Sequence, residues 1–327
     1  MQEINVIEAV RQAMYEEMER DEDVFILGED IGVRGGVFLA TDGFLETFGA
    51  DRVIDTPISE SAIAGIALGA AMRGMRPIAE IEFADFIWPV FNQILGEASR
   101  IRYGTEGKLN APLVLRAPYG GGIRGGLYHS QSPEAYFAHT PGLKVVAPST
   151  PFDAKGLLKS AIRDNDPVVF LEHKKTYRLV KGNIPEEEYT IPIGKADVKI
   201  EGRDVTLVTY GLMLHHCVEA ARMLKEENLA VEVIDLRTLR PIDQDTVIRS
   251  VAKTGRALIV HEDTLALGIG AEISAILSEH VFDSLDAPIK RLAGPEVPAM
   301  PFSPTLESQF MISTEQIVKA LKELTEY

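Results

Sequence analysis

Residues 5–30, NVIEAVRQAMYEEMERDEDVFILGED, contain the structural unit that most of the chain repeats. Asn5 can cap a helix, and Glu8 stands three residues later, as in a capping box. Apolar residues then recur at helical spacing. Val24–Leu27 follows as a fully apolar run. The stretch therefore predicts an amphipathic helix followed by a buried strand.

The same alternation continues along the chain. Helices are predicted at 61–75, 89–103, 151–162, 213–226, 243–252, 271–279 and 314–324, and strands at 53–54, 78–83, 113–115, 144–147, 168–171, 205–209, 231–236, 257–260 and 289–292. Continuous apolar strands that alternate with helices are typical of a parallel sheet covered by helices on both faces. We therefore predict an α/β fold.

A connector divides the predicted elements into two domains. Residues 186–203 interrupt the alternation with an acidic run at 186–188, with Pro192 and with Gly202. We predict a larger N-terminal domain over 1–185, built on a doubly wound and mainly parallel sheet. A smaller C-terminal α/β domain is predicted over 204–327.

Composition narrows the class of protein. The 327 residues suit about two domains. Hydrophobic residues make up 46% and charged residues 25% of the chain, which is ordinary for a globular protein. The net charge of −16 disfavours nucleic acid and anionic membranes as partners. We see no signal peptide or spanning segment, and with a single cysteine we expect a cytoplasmic protein.

Common catalytic motifs do not occur. The chain has no phosphate loop, no Gly-x-Gly-x-x-Gly after a strand, no Gly-x-Ser-x-Gly elbow, and no His-Glu-x-x-His or Cys-x-x-Cys metal motif. Cys217 lies in a helical stretch, and we expect it to be a buried small apolar residue. Candidate chemistry therefore depends on residues that follow the strands, where open α/β sheets bind ligands.

Glu29 and Glu60 are carboxylates of this kind. Glu29 follows the first apolar strand, and Glu60 stands at the entry of a helix rich in small residues. Glu60 can complement the helix dipole, or it can point into a cleft and hold or move a proton. The residues alone leave both interpretations open.

A glycine-rich loop and an aromatic group are further candidates. His129 ends a loop with five glycines, where it can be a solvated side chain or a proton carrier. Phe83, Phe86 and Trp88 offer flat faces near a strand end, either to the core or to a heteroaromatic ring.

In their order and spacing, seven segments resemble one family. They are LGED at 27–30, DTPISE at 55–60, AEIEFADF at 79–86, HSQSPEA at 129–135, GLKVV at 142–146, DLRT at 235–238 and KTGR at 253–256. The chain resembles beta subunits of the thiamine-diphosphate-dependent decarboxylase (dehydrogenase) component of 2-oxo acid dehydrogenase complexes. The resemblance extends over essentially the whole chain.

The resemblance implies a fold, a cofactor and partners. The larger domain would be of the thiamine pyrimidine-binding type and the smaller one of the transketolase C-terminal type. An alpha subunit would complete an α2β2 heterotetramer and hold the diphosphate through Mg²⁺, since this chain has Thr41-Asp42-Gly43 but no Gly-Asp-Gly motif. A second beta subunit and a lipoyl acyltransferase are the other expected partners.

The resemblance also assigns residues. Glu60 would hydrogen-bond a ring nitrogen of the aminopyrimidine, and His129 would assist acyl transfer to the lipoyl arm. Expected cofactor contacts come from Glu29, Ile58, Glu60, Glu82, Phe83 and Phe86. Phe86 stands where the family often has tyrosine, and Glu82 stands where some relatives have glutamine.

Two more sets of residues follow from the resemblance. Arg124 stands where many members have histidine and could hold a substrate carboxylate, with Tyr128 as a second substrate contact. A structural K⁺ is expected in the segment that contains Ala161, Ile162, Asp164 and Asp166.

Several functions stay open at this point. His-Ser-Gln-Ser, with Leu127-Tyr128 before it, resembles branched-chain members of the family more than pyruvate members, so the resemblance implies branched-chain 2-oxo acids over pyruvate or acetoin. One methylene in an apolar pocket changes specificity by only about 1–3 kcal/mol, so substrate ranges can overlap. A split transketolase-like enzyme is the alternative within thiamine chemistry. A non-catalytic binding subunit, with Glu60 only capping its helix, is the alternative outside it.

Overall fold

The structure is a computed structural model that describes residues 1–327. Its strands are β1 Gln2–Asn5, β2 Val24–Gly28, β3 Val53–Asp55, β4 Arg76–Glu80, β5 Val114–Tyr119, β6 Lys144–Val146, β7 Val168–His173, β8 Lys181–Ile184, β9 Asp197–Ile200, β10 Val205–Thr209, β11 Val231–Asp235, β12 Thr238–Arg240, β13 Ala257–Thr264 and β14 Lys290–Gly294. Its α-helices are α1 Val6–Arg20, α2 Phe44–Phe48, α3 Glu60–Ala71, α4 Ile101–Gly104, α5 Glu134–Ala138, α6 Pro151–Arg163, α7 Thr176–Leu179, α8 Met213–Glu226, α9 Gln244–Thr254, α10 Ile269–His280, α11 Pro304–Phe310 and α12 Thr314–Leu324.

The chain forms two compact units. The first comprises residues 1–119 and 136–193, and the second comprises residues 120–135 and 194–327. The glycine-rich loop therefore belongs to the second unit, although the first unit flanks it in the sequence. No helix combines the length and the apolar character that crossing a membrane requires.

The first unit contains a parallel sheet in the order β6-β7-β5-β4-β2-β3. Its strands are almost entirely buried, as the continuous apolar runs predict. Helices α1 and α6 share a core with these strands. Asn5 caps α1 in a capping box with Glu8, and Thr150 caps α6, both as expected. This arrangement confirms the doubly wound, mainly parallel sheet.

The second unit contains a five-stranded sheet in the order β14-β13-β10-β11-β9. Four strands are parallel, and β9 pairs antiparallel with β11 at one edge. Helices α8 and α12 share a core with β10, β11 and β13. The smaller α/β domain is thereby confirmed, and β9 gives regular structure to part of the segment expected to be a connector.

Several predicted elements differ in the structure: the helix expected over 61–75 ends at Ala71, and the strand expected over 257–260 continues to Thr264. The strand expected over 78–83 ends at Glu80, so Glu82 and Phe83 lie beyond it. The helix expected over 89–103 is divided into short 3₁₀, π and α segments. Gly142 approaches this region so closely that a Cβ atom on it would lie 2.0 Å from the Ser99 carbonyl oxygen. This tertiary contact lies at Ser99, where the helical segment is interrupted.

A buried arginine connects three neighbouring strands of the first sheet. Arg116 of β5 donates from Nε and Nη2 to both carboxylate oxygens of Glu172 on β7, at 2.6 and 2.7 Å. Its Nη1 donates to Glu80 at the end of β4. Tyr177 donates its hydroxyl to the same Glu172, at 2.6 Å. All four side chains are buried, so each charge depends on its neighbours.

Replacing Arg116 should destabilise the first unit. In Arg116→Met, Glu80 and Glu172 would stay buried without their cation, which typically costs about 3–5 kcal/mol. Arg222→Met is the matched control, because Arg222 is largely exposed and should contribute within about 0.5 kcal/mol. Denaturant unfolding of the purified protein measures both, and equal effects would refute this account of the network.

Candidate functional site

The carboxyl ends of β2, β3 and β4 meet at one edge of the first sheet. Gly28 of β2 lies in register with Asp55 of β3 on one side and with Glu80 of β4 on the other. The segments that follow these strands carry the candidate cofactor residues Glu29, Ile58, Glu60, Glu82, Phe83 and Phe86. The topology therefore places those segments together at one edge, as the strand-end rule predicts.

Three carboxylates meet directly at this edge. One carboxylate oxygen from each of Glu29, Asp30 and Glu82 lies within 4.8 Å of the others. Burial, followed by repulsion from Glu29 and Asp30, raises the pKa of Glu82 to about 7. Asp30 was not among the predicted site residues, although it directly follows Glu29 after the strand. Glu82 can therefore exchange a proton near neutral pH.

Glu60 is the first residue of α3 and is half-buried. The preceding Ser59 makes no capping hydrogen bond with its side chain. Burial, then the charges of Asp30 and Glu60, raise the pKa of Glu29. The carboxylates of Glu29 and Glu60 therefore lie close enough to interact. Ile58 is 75% exposed just before the helix.

The aromatic candidates are in contact with one another. The rings of Phe83 and Phe86 meet edge to face, with their centroids 5.9 Å apart. Phe83 also meets Phe38 edge to face at 5.7 Å, and the Lys174 ammonium lies 5.7 Å from its ring centroid. Trp88 instead contacts Phe91 and Tyr136. Phe83 and Phe86 are both partly exposed, so each presents part of its ring for stacking on a ligand.

Arg124, Tyr128 and His129 lie in the second unit, on the loop 120–135. Arg124 and Tyr128 are exposed, whereas His129 is half-buried and follows the 3₁₀ turn Gly126–Tyr128. Arg124 adopts a left-handed backbone conformation, with φ of 62°, that is uncommon outside glycine. The loop thus presents three candidate side chains on a tightly turned backbone.

The segment predicted to hold K⁺ lies away from the other candidates. Ala161 and Ile162 are near the end of α6, and Asp164 and Asp166 precede the amino end of β7. The candidates after β2, β3 and β4 instead lie at the carboxyl ends of the parallel strands. The carbonyls of Ile162 and Asp164 both accept hydrogen bonds from Arg76, at 3.0 Å. The Asp164 carboxylate accepts two from Lys144.

The second unit holds buried acidic residues that sequence analysis missed. Glu134 accepts a hydrogen bond from the Tyr210 hydroxyl at 2.8 Å, and burial raises its pKa well above the usual range. Burial also raises the pKa of Asp263 to about 6. Glu262 and Asp263 come two and three residues after the predicted strand 257–260, which the structure extends to Thr264, so their position near a strand end was the available signal. Cys217 is buried, as expected, and burial raises its pKa.

Comparison with known proteins gives the family. The transketolase pyrimidine-binding domain family matches residues 2–180, and the transketolase C-terminal domain family matches residues 194–317. The 2-oxoisovalerate dehydrogenase subunit beta of Bacillus subtilis is 56% identical over 327 residues, which cover 100% of both chains. The chain belongs to the family of 2-oxo acid dehydrogenase beta subunits.

Other relatives agree with this assignment. The pyruvate dehydrogenase E1 component subunits beta of Bacillus subtilis and Staphylococcus aureus are each 46% identical to this beta subunit over 100% of both chains. A solved structure described as a split gene transketolase, inactive beta4 tetramer, has a TM-score of 0.79 at 23% identity. The match covers 99% of this chain and 98% of that one, and it supports the fold.

The stability of this beta subunit should depend on pH through Glu82. Its pKa is higher in the folded chain, about 7, than the ordinary value of 4.5. The stability contribution of the protonated form is therefore complete below pH 4.5 and lost as the pH rises through about 7. Glu82→Gln cannot ionise, so its Tm should exceed that of the parent above pH 7 and match it at pH 4.5.

Thermal unfolding across this pH range measures the effect. Glu22→Gln is a suitable control, since Glu22 is exposed and outside the acidic group. A difference in Tm between the Glu82 variant and the parent that does not vary with pH would contradict the prediction.

Proposed function

We propose that the chain is the beta subunit of a branched-chain 2-oxo acid dehydrogenase. It would bind the pyrimidine half of thiamine diphosphate and act with an alpha subunit, a second beta subunit and a lipoyl acyltransferase, in the cytoplasm. The main support is the 56% full-length identity to a 2-oxoisovalerate dehydrogenase subunit beta, against 46% for pyruvate-type subunits.

The side chains at the carboxyl ends of β2, β3 and β4 suit an aminopyrimidine. Such a ring needs flat apolar contacts and a polar partner for its nitrogens. Phe86 offers a partly exposed ring beside Phe83, and Ile58 is an exposed apolar side chain on the segment before α3. Glu60 and Glu29 supply carboxylates at the same edge. The residue types therefore fit the group.

Glu60 would hold or move the proton at a ring nitrogen of the cofactor. When bound, thiamine diphosphate supplies the electron sink that decarboxylation needs. Glu60 starts α3, so its carboxylate is held on a regular helix rather than on a loop. Glu29 and Glu82 would keep a proton within the same group of carboxylates, because both have raised pKa values.

Residues of the loop 120–135 would act on the substrate side. Arg124 is a permanent cation that can pair with the carboxylate of a 2-oxo acid. Tyr128 is 70% exposed and would give a second contact. His129 would exchange a proton during acyl transfer to the lipoyl arm.

Metal ions have separate roles in the proposal. Mg²⁺ would be held by the alpha subunit, because Thr41-Asp42-Gly43 supplies no complete diphosphate motif. K⁺ would bind backbone oxygens in the segment 161–166, where Arg76 already donates to two carbonyls. A carbonyl oxygen has two lone pairs, so these hydrogen bonds leave acceptor capacity.

Substrate choice is tested on the assembled enzyme. The chain would be co-expressed with its alpha subunit and assayed with branched-chain 2-oxo acids, pyruvate and acetoin at matched concentrations. Higher kcat/KM for branched-chain acids supports the proposal. Preference for pyruvate or acetoin would assign the chain to that type. Ketol transfer without any activity on the lipoyl domain would indicate a split transketolase.

Glu60→Ala should lower decarboxylation by the assembled enzyme about 100-fold or more, in the range of general acid–base effects. Glu315→Ala is the matched control, because Glu315 also lies in the first turn of a helix and is exposed. If Glu60 only complemented the helix dipole, both variants would lose a little stability and neither would lose activity.

His129→Ala should affect the two half-reactions unequally. Reductive acylation of the lipoyl domain should fall about 100-fold, the scale of one general acid–base step, whereas oxidation by an artificial acceptor should fall less. His280→Ala serves as a control, since His280 lies at the end of α10 and outside the loop. Equal losses in both assays would count against the transfer role of His129.

A further inference from the structure

The loop that carries His129 is anchored by two buried carboxylates of its own unit. Glu262 Oε1 accepts the backbone N–H of Gly121 at 2.6 Å, and Glu307 Oε1 accepts the backbone N–H of Arg124 at 2.8 Å. Both carboxylates are nearly inaccessible to solvent, with 5% and 7% exposure. Hydrogen bonds from backbone N–H groups to buried carboxylates are stronger than those between neutral groups.

Two glycines of this loop, Gly121 and Gly126, face the chain segment 300–311. A Cβ atom on Gly121 would lie 2.1 Å from the sulfur of Met300, and one on Gly126 would lie 3.1 Å from the Phe302 ring. Glu307 belongs to the same segment. The segment 300–311 thus holds the loop by packing and by the hydrogen bond that Glu307 accepts.

Gly125 lies directly against His129. A Cβ atom on Gly125 would lie 2.5 Å from the His129 carbonyl oxygen and 2.8 Å from its Cβ atom. The backbone angle φ of Gly125 is −77°, so this position needs glycine for space and not for a left-handed conformation. Any displacement at Gly125 would move His129.

We propose that Glu262 and Glu307 are positioning residues that fix the loop 120–135 and thereby orient His129 for transfer to the lipoyl arm. The two carboxylates hold the backbone N–H groups of Gly121 and Arg124. The next residue, Gly125, packs against His129, so the position of His129 depends on these hydrogen bonds. The inference rests on the proposed function of His129. It assigns a supporting role in acyl transfer to two hydrogen-bond acceptors outside the loop, Glu262 on β13 and Glu307 on α11.

The test uses the assembled enzyme with its alpha subunit. Glu262→Ala and Glu307→Ala should each lower the ratio of lipoyl-domain acylation to artificial-acceptor oxidation about tenfold, since misplacing a reacting group by 1 Å can cost about 100-fold. Glu262→Gln and Glu307→Gln keep an acceptor oxygen and should restore most of the ratio. Glu296→Ala is the matched control, because Glu296 accepts the backbone N–H of Ala266, on a different loop, at 2.8 Å.

Amide hydrogen exchange gives a readout that is independent of catalysis. Peptides covering residues 120–135 should exchange faster in the two alanine variants and at the parent rate in Glu296→Ala. Unchanged exchange together with an unchanged activity ratio would overturn the positioning role.

Gly125→Ala tests whether the position of Gly125 determines the position of His129. It should lower the same ratio about tenfold, whereas Gly104→Ala, where a Cβ atom meets nothing within 4 Å, should not. If His129→Ala lowers the ratio but these loop variants do not, the positioning proposal fails alone. If His129→Ala leaves the ratio unchanged, the proposed role of His129 fails, and the positioning proposal fails with it.

Discussion

The first unit depends on the buried ion pairs that the guanidinium of Arg116 forms with Glu80 and Glu172. The guanidinium binds carboxylates from the strands on both sides, so the carboxyl ends of β4, β5 and β7 are fixed relative to one another. Glu80, one of its partners, stands two residues before Glu82. The chain therefore leaves β4 from a fixed point, and the acidic and aromatic side chains that follow occupy defined positions at the edge of the sheet.

The second unit uses buried carboxylates in a related way. There the partners are backbone amides of a loop and not a cation, and Glu262 and Glu307 accept from Gly121 and Arg124. In both units, buried carboxylates fix the position of a segment that carries candidate functional side chains. Burial of these groups makes the geometry costly to disturb.

The sequence predicted the fold well, because buried parallel strands and capped helices carry strong local signals. Strand β10 and helices α8 and α12 have the predicted bounds. The prediction of one continuous helix over 89–103 was wrong. This segment closely approaches Gly142, and periodicity does not reveal such a tertiary contact. Glu29 and Glu60 became candidates because they follow strands. The raised pKa values of Glu29 and Glu82 and the anchoring of the loop by Glu307 depend on distant contacts, and no local pattern contains them.

The most direct test of the account is whether this chain supplies half of a shared thiamine diphosphate site. Cofactor bound to the purified chain, to its alpha subunit and to the co-expressed complex would be measured by equilibrium dialysis with Mg²⁺. The account predicts stoichiometric binding to the complex, weak binding to either chain alone, and reduced binding when the complex carries Glu60→Ala. Equally tight binding to the isolated chain, or a stable complex that binds no cofactor, would contradict it.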